Sequence, residues 1–213
     1  RHGITFASAA GSNADAVAEY VLAAVLLLAH RLGFDPRDQA LGVVGVGRIG
    51  GRVVRWARAL GMSVLLCDPP LRRRTGDPSY IDGAELARGA DIITLHVPLT
   101  EDGPDATRDF VDERWLASLK PGAILLNTSR GEVVREDQLT AAIEGGRLAA
   151  VGLDVWRNEP HVDPRLLERT TIATPHIAGY SAEAKARAVG LIRDALAEFV
   201  ASAQSGMQPD NLV

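Results

Sequence analysis

Three residues that can move protons or bind anions lie just beyond apolar runs in the second half of the chain: Arg130, Glu159 and His176. Imidazole has an unperturbed pKa of about 6.5 and exchanges a proton near neutral pH, while guanidinium binds carboxylates through two parallel hydrogen bonds. Taken singly, the three also fit a surface ion pair, a turn residue and a loop histidine. Their shared position at strand ends favours one site, because such ends form the ligand edge of an open α/β sheet.

A glycine-rich turn follows the first apolar run and opens a helical pattern, which is the context of a dinucleotide-binding turn. Its residues are Gly45, Gly47, Arg48, Ile49 and Gly50. The next run ends in Asp68, which can accept hydrogen bonds from adenosine ribose and would repel a 2′-phosphate. NAD is therefore favoured over NADP, although Arg72, Arg73 and Arg74 could bind that phosphate if their loop folded back. A glycine turn without a ligand is the plainer alternative.

Short apolar runs alternate with amphipathic helical patterns along most of the chain, which predicts a doubly wound parallel α/β sheet of the Rossmann type. The runs span residues 41–46, 63–67, 92–97, 123–127, 149–155 and 171–173. The helical patterns between them span residues 49–60, 84–89, 112–119 and 136–145. We expect a NAD-binding domain over residues 35–180, with flanking segments 1–34 and 181–213 that belong to an incomplete substrate domain.

The two flanking segments each carry an apolar helical pattern. The first begins where Ser12 or Asn13 can cap a helix and runs to about Arg31, with an apolar surface too wide to face water alone. The last runs from Ala182 to Ser202. We expect the first helix to form the interface of a homodimer. The chain opens on Arg1 instead of Met, so we also expect the natural protein to be longer.

Composition excludes several classes of function. The net charge is −4 and the positive charges are scattered, so nucleic acid is an unexpected partner. The longest apolar run covers nine residues, 21–29, which is shorter than the roughly 20 that span a bilayer. Cys67 is the single cysteine, so it can form neither an internal disulfide nor a cysteine-rich metal site. We expect a cytoplasmic protein without a metal centre.

Five motifs resemble, in order and spacing, those of the D-2-hydroxyacid dehydrogenase family. They are GVGRIG at 45–50, HVPLT at 96–100, NTSRG at 127–131, DVWRNEP at 154–160 and TPHIAGY at 174–180. The resemblance implies that His176 exchanges the substrate's hydroxyl proton, that Glu159 orients and charges it, and that Arg130 holds the substrate carboxylate. It also implies cofactor contacts from residues on several loops, namely Val97, Thr128, Ser129, Arg130, Asp154 and Gly179.

Within that family, three further motifs are most similar to the erythronate-4-phosphate dehydrogenases. They are LCDPP at 66–70, DGP at 102–104 and HIAGYSAEAKARA at 176–188. This similarity implies a small phosphorylated 2-hydroxy acid as substrate, with Tyr180 among its contacts. Val97 stands where that subfamily commonly has threonine, so a hydroxyl contact with the cofactor is lost. The N-terminal segment that builds most of the family's substrate domain is absent from this chain.

Two other functions stay open at this point. The chain could act on another 2-hydroxy acid, such as 3-phosphoglycerate, glyoxylate or hydroxypyruvate. It could also be a non-enzymatic, NAD-sensing interaction protein, because the same fold serves transcriptional corepressors. The presence of Arg130, Glu159 and His176 together favours an enzyme.

Overall fold

The structure is a computed structural model that describes residues 6–205. Its centre is one parallel sheet of six strands in the order β2-β1-β3-β4-β5-β6. The strands are β1 (Ala40–Val44), β2 (Ser63–Cys67), β3 (Ile92–Leu95), β4 (Ala123–Asn127), β5 (Leu148–Leu153) and β6 (Ile172–Ala173). The predicted doubly wound sheet is confirmed. Three strands, β1, β3 and β5, end two residues earlier than the apolar runs do, because the last residues of those runs already belong to the loops that follow.

Eight α-helices surround the sheet within residues 6–205. They are α1 (Ala14–Leu32), α2 (Gly50–Ala59), α3 (Pro69–Thr75), α4 (Gly83–Gly89), α5 (Glu113–Ser118), α6 (Glu136–Glu144), α7 (Pro164–Arg169) and α8 (Ala182–Ser205). The apolar patterns do not predict α3 and α7, which are too short to show a period. Both begin with proline after an aspartate whose side chain caps the helix, Asp68 for α3 and Asp163 for α7. None of the eight is long and apolar enough to cross a membrane.

The core has two halves, one on each face of the sheet, because side chains alternate along a strand. In β4, Ile124 and Leu126 pack with α1 and α2, whereas Ala123 and Leu125 pack with α4, α5, α6 and α7. The strands are therefore apolar on both sides. This pattern explains why their sequences read as continuous apolar runs.

Helix α1 is part of the layer that covers the sheet. Its residues Val21, Val25 and Leu28 are fully buried against β1, α2 and the neighbouring strands, while Leu26 and Leu27 remain exposed on the outer face. The predicted N-cap is wrong in one respect, since Asn13 occupies the cap position but its side chain makes no capping hydrogen bond. The assignment of residues 1–34 to a substrate domain stays a prediction, and residues 1–5 lie outside the described part.

Asp15 joins α1 to two other helices. Its carboxylate accepts hydrogen bonds from Arg52 on α2 and from Arg187 on α8. These hydrogen bonds, that of Arg187 first, lower the pKa of Asp15 below its ordinary value. The N-terminal parts of α1, α2 and α8 are thereby held together beside the loop that precedes α2.

All the loops that carry the predicted motifs leave the same edge of the sheet, because parallel strands share one carboxyl edge. The chain leaves β1 toward β2 and leaves β3 toward β4, so the strand order reverses between β1 and β3. Ligands of open α/β sheets bind at such a reversal. The glycine turn after β1 and the motif at 96–100 after β3 stand on its two sides.

We predict that Leu28→Ala lowers the free energy of unfolding by about 2–5 kcal/mol, because it leaves a cavity between α1 and the sheet. Leu26→Ala is the matched control, since the same change occurs in the same helix at a side chain that is 48% exposed. Urea unfolding followed by circular dichroism measures both variants. Equal effects would mean that α1 does not belong to the packed layer.

Candidate active site

The three glycines of the turn after β1 have three different geometries. Gly45 has a φ of +86°, and a Cβ there would lie 2.5 Å from the carbonyl oxygen of His96. A Cβ on Gly50 would lie 2.0 Å from the carbonyl oxygen of Gly45, so the start of α2 packs directly on the turn. Gly47 has no atom within 4 Å of its Cβ position. The turn is thus tight at its ends and open in its middle, where an anion can approach the backbone.

This turn opens onto a cavity of about 650 Å³ lined by Gly45, Gly47, Asp68, His96 and Val97 among others. Helix α2 begins there, so the positive end of its dipole faces the same space. These features fit a dinucleotide, with the pyrophosphate at the open backbone of residues 47–49. Arg48, whose side chain is exposed, and Ile49 form that part of the turn.

Asp68 holds the wall of this cavity in shape. Its Oδ2 accepts a hydrogen bond from the Val46 N–H at 2.8 Å, and its Oδ1 accepts one from the Leu71 N–H at 2.9 Å. The carboxylate therefore ties the glycine turn to the first turn of α3. Because a carboxylate oxygen accepts more than one hydrogen bond, both oxygens can still accept from ribose hydroxyls.

Of the three arginines that follow Asp68, Arg73 lines the cavity, and its charge is already paired. Arg73 pairs with Asp105 on the opposite wall, at 3.0 Å between Nη1 and Oδ1. Arg72 and Arg74 are exposed, and the described residues give neither of them an ion pair. A 2′-phosphate that binds Arg73, the arginine that lines the cavity, would have to displace Asp105 while lying near Asp68, so this wall favours NAD.

Two buried groups at this cavity are uncharged near neutral pH. Burial lowers the pKa of His96 to about 3, and its ring nitrogens lie 2.9 Å from the Thr94 hydroxyl and 3.5 Å from the Thr128 hydroxyl. Burial also raises the pKa of Cys67 to about 11, and this residue is buried at the end of β2. His96 thus supports the cavity wall and the Thr128 loop, and it is not charged to act as a catalytic acid near neutral pH.

A turn built on a buried asparagine presents Arg130. Asn127 ends β4, its Oδ1 accepts hydrogen bonds from the Ser129 N–H and hydroxyl, and its Nδ2 donates to the carbonyl oxygen of Arg130 at 2.9 Å. The Ser129 side chain points into this turn, so any cofactor contact by Ser129 must come from its main chain. Arg130 is exposed beyond the turn.

Gly131 brings the Arg130 turn against the loop that carries Glu159. A Cβ on Gly131 would lie 2.1 Å from the carbonyl carbon of Trp156, so only glycine fits. Arg130 is consequently close enough to Glu159 to contribute to the lowering of its pKa. The sequence motif contains this glycine but does not reveal the contact, since the two residues are far apart along the chain.

His176 and Glu159 form a direct pair, with 2.8 Å between Nδ1 and Oε2. The other oxygen of Glu159 accepts a hydrogen bond from the Trp156 N–H at 2.8 Å. Burial alone would raise the pKa of Glu159, but hydrogen bonds from His176 and Trp156 hold it below its ordinary value. Glu159 is therefore ionised near neutral pH. The Nε2 side of the half-exposed imidazole is left for a substrate.

Asp154 lies beneath this pair and is almost completely buried. Its carboxylate accepts hydrogen bonds from the Thr174 hydroxyl at 2.6 Å and from the N–H groups of Ile177 and Ala178 at 2.8 and 2.9 Å. Its carbonyl oxygen accepts from the His176 N–H at 2.7 Å. The side chain implied to contact nicotinamide thus already holds the segment that carries His176. Oδ2, with one partner in the structure, can accept a further hydrogen bond.

The two remaining predicted residues follow His176. A Cβ on Gly179 would lie 2.4 Å from Asn13 Nδ2, so the loop packs closely on the start of α1. Tyr180 is 72% exposed, and the ammonium group of Lys185 lies 3.6 Å from the centre of its ring. The pKa of Tyr180 is lowered, and the largest cause is a hydrogen bond with Lys185. Tyr180 is thus near the histidine in the chain but outside the buried network.

Sequence patterns miss three residues that shape this site. Asn127 builds the Arg130 turn, Thr174 supports Asp154, and Tyr20 donates to Thr174 from α1. Asn127 and Thr174 stand inside the quoted motifs, so their positions carried a signal. Tyr20 had none, because its partner lies 154 residues away.

Fold and site together define a domain of the dinucleotide-binding type, with a glycine turn at the start of a helix and a histidine–glutamate pair at one sheet edge. Residues 16–178 match the family described as D-isomer specific 2-hydroxyacid dehydrogenase, NAD binding domain. The chain belongs to the D-isomer specific 2-hydroxyacid dehydrogenase family, and its cofactor is NAD.

Two groups of known proteins are similar to this chain. The erythronate-4-phosphate dehydrogenase of Edwardsiella ictaluri (strain 93-146) is 48% identical over 210 residues, covering 99% of this chain and 56% of the relative. That of Salinibacter ruber (strain DSM 13855 / M31) is 49% identical over 201 residues, covering 92% and 51%. The chain thus spans about half the length of the curated relatives it matches.

Solved structures of the same family share the fold. The apo form of Rhodotorula graminis D-mandelate dehydrogenase superposes with a TM-score of 0.77 at 29% identity, covering 92% of this chain and 65% of that one. The Aquifex aeolicus D-lactate dehydrogenase complexed with NAD and lactic acid gives 0.69 at 28% identity, covering 91% and 67%.

We predict that Glu159→Gln removes a pH-dependent part of the stability. A carboxyl whose pKa is lowered on folding stabilises the fold above its unfolded pKa, and this contribution is lost as the pH falls through the folded pKa. Wild type should therefore exceed Glu159→Gln in free energy of unfolding near neutral pH, and the difference should shrink below the ordinary glutamate pKa of 4.5.

Urea unfolding at a series of pH values measures this difference. Glu198→Gln, which removes an exposed carboxylate on α8, controls for the loss of one charge. A difference between wild type and Glu159→Gln that stays constant with pH would contradict the pairing of Glu159 in the folded state.

Proposed function

We propose that this chain is the cofactor-binding and catalytic part of an enzyme that oxidises 4-phospho-D-erythronate to 2-oxo-3-hydroxy-4-phosphobutanoate with NAD. The observation that carries the proposal is the 2.8 Å pair of His176 and Glu159, beside Arg130 and at the sheet edge that holds the glycine turn. The choice among 2-hydroxy acids is supported by the names of the relatives at 48% and 49% identity.

His176 is the base in this direction. Because Glu159 is a hydrogen-bond acceptor only, Nδ1 carries the proton between them and Nε2 has the free electron pair. Nε2 takes the proton of the substrate hydroxyl, and the negative charge of Glu159 stabilises the resulting imidazolium. Bound NAD would supply the hydride acceptor for the carbon that bears this hydroxyl. In the reverse direction the same nitrogen returns the proton.

Arg130 binds and polarises the substrate. Within the described residues its guanidinium makes one hydrogen bond, from Nη1 to the Ser129 carbonyl oxygen at 2.6 Å. The other N–H groups can hold the substrate carboxylate in two parallel hydrogen bonds, next to the carbon that reacts. Asn127 and Gly131 fix the turn, so the guanidinium starts from a defined backbone position.

The cofactor is held by the turn at 45–50 and by the loops beyond it. Asp68 would bind the adenosine ribose, Val97 and Thr128 would lie along the cofactor, and Oδ2 of Asp154 would accept a hydrogen bond from the carboxamide. Gly179, packed on Asn13, would place the main chain after His176 beside the nicotinamide. The contacts of Asp68 and Val97 are supported by the cavity that these residues line together with Gly45 and Gly47.

Tyr180 contacts the phosphate end of the substrate in this proposal. The ammonium group of Lys185 lies against the exposed ring of Tyr180. The described residues give Lys185 no carboxylate partner. A phenol next to an unpaired ammonium group suits a second anionic group on the substrate. This arrangement supports a phosphorylated 2-hydroxy acid over glyoxylate or lactate.

We predict selective NADH formation from 4-phospho-D-erythronate, compared with 3-phosphoglycerate, by the full-length protein that contains this chain. His176→Ala should lower kcat by about a thousandfold, because general-base catalysis contributes about 10²–10⁴ in rate. Arg130→Lys should lower kcat/KM strongly, since lysine lacks the planar fork. Absorbance at the NADH band measures all variants.

Lys120→Arg is the control, because Lys120 pairs with Asp91 far along the sheet from these loops. Turnover of 3-phosphoglycerate alone would keep the family and overturn the substrate. NADH binding without turnover of either acid, unchanged in His176→Ala, would favour a sensing role over an enzyme.

We further propose that the protein works in the cytoplasm as a homodimer through α1. The support is the apolar outer face of this helix, where Leu26, Leu27 and Leu32 are 48%, 39% and 45% exposed. Such adjacent exposed leucines favour burial in a symmetric interface.

We predict a dimer mass by light scattering at micromolar concentration, and a monomer when Leu26 and Leu27 are both replaced by aspartate. Val189→Asp on α8, where the side chain is 71% exposed, is the control and should leave the dimer intact. A wild-type monomer, or a dimer that survives the double change, would exclude this interface.

A further inference from the structure

A continuous chain of hydrogen bonds connects helix α1 to the segment that carries His176. The Tyr20 hydroxyl lies 2.7 Å from the Thr174 hydroxyl, and the Thr174 hydroxyl lies 2.6 Å from Oδ1 of Asp154. The Asp154 carboxylate then accepts the N–H groups of Ile177 and Ala178. Three segments distant in sequence, α1, the loop after β5 and the loop after β6, thus meet in one network.

The direction of this chain is fixed by chemistry. A carboxylate only accepts, so the Thr174 hydroxyl must donate its single proton to Asp154. The Thr174 oxygen is then an acceptor toward Tyr20, which must donate. Burial raises the pKa of Tyr20, so its hydroxyl keeps the proton that this role requires. Successive hydrogen bonds of one direction polarise and strengthen one another.

The segment of residues 176–178, where this series of hydrogen bonds ends, needs such support. His176 has a φ of +55°, a left-handed conformation that costs free energy in a residue other than glycine. The His176 N–H donates to the Asp154 carbonyl oxygen, and the next two N–H groups donate to its carboxylate. The strained backbone at His176 is therefore held at three consecutive N–H groups by one residue.

Thr174 is itself fixed on its other side. The indole N–H of Trp156 donates to the Thr174 carbonyl oxygen at 2.9 Å. The main chain of Thr174 is thus held by Trp156 while its hydroxyl contacts both Tyr20 and Asp154. The Thr174 hydroxyl therefore links Tyr20 to the Asp154 carboxylate.

We propose that Tyr20 is a positioning residue that acts through Thr174 and Asp154 to hold His176 in its left-handed, Glu159-paired conformation. The catalytic meaning of this role rests on the proposed function, in which His176 exchanges the substrate's proton. The structural part, the coupling of α1 to residues 176–178, stands independently of any turnover.

Two variants remove single hydroxyl groups without removing volume. Tyr20→Phe deletes the first donor, and Thr174→Val deletes the middle group. We expect the amide hydrogens of Ile177 and Ala178 to exchange with deuterium about five times faster in both variants, the effect of losing roughly one hydrogen bond. Exchange in β1, β3 and β4 should stay as in wild type. Nuclear magnetic resonance on the present chain measures each amide separately.

The controls separate this role from general destabilisation. Thr174→Ser keeps the hydroxyl and should restore wild-type exchange at both amides. Thr140→Val removes a buried hydroxyl that donates to the Glu136 carbonyl oxygen within α6, and Tyr80→Phe changes a half-buried tyrosine at the far edge of the sheet. Neither should change exchange at residues 177 and 178.

In the full-length enzyme, Tyr20→Phe should lower kcat about fivefold and change KM for NAD less than about twofold. Unchanged exchange at residues 177 and 178 would overturn the proposal, and so would faster exchange spread evenly over the sheet. Faster local exchange in a protein that turns over neither hydroxy acid would keep the coupling and overturn only the proposed function.

Discussion

The arrangement of the site depends on one buried carboxylate, that of Asp154. A buried carboxylate is stable only when it is fully hydrogen bonded, and here three donors supplied by the chain surround it. The main chain of the same residue reaches both neighbouring strand ends. Its N–H donates to Asn127, which folds the Arg130 turn, and its carbonyl oxygen accepts from His176. The turn that carries Arg130 and the segment that carries His176 are therefore both positioned by the residue at the end of β5.

Close contacts between main-chain segments position the parts of the site that the Asp154 carboxylate does not hold. Glu159 is absent from the Asp154 network, and its loop is brought to Arg130 by the contact of Gly131 with the main chain of Trp156. At the cofactor side, Gly50 packs on Gly45 in the same manner. Both contacts are possible because parallel strands deliver every loop to one edge, where glycine permits neighbouring loops to touch.

The fold could be predicted from the sequence because its main signals are local. Continuous apolar runs give the strands, and the spacing of Gly45, Gly47 and Gly50 gives the turn at the sheet reversal. The pairing of His176 with Glu159 followed from family resemblance, and the structure brings the two within 2.8 Å. Contacts between distant segments could not be read in this way. Tyr20, for example, fits an apolar helical pattern whether or not its hydroxyl has a partner.

Cofactor preference illustrates how one residue can serve structure and recognition together. Asp68 holds the glycine turn through Val46 and caps α3 through Leu71, while its charge opposes a 2′-phosphate. Removing that charge would also free the turn that receives the pyrophosphate. Arg73, the cation best placed for a 2′-phosphate, is already neutralised by Asp105. Both walls of the cavity therefore favour NAD over NADP. The Asp68 carboxylate that opposes a 2′-phosphate also maintains the shape of the glycine turn.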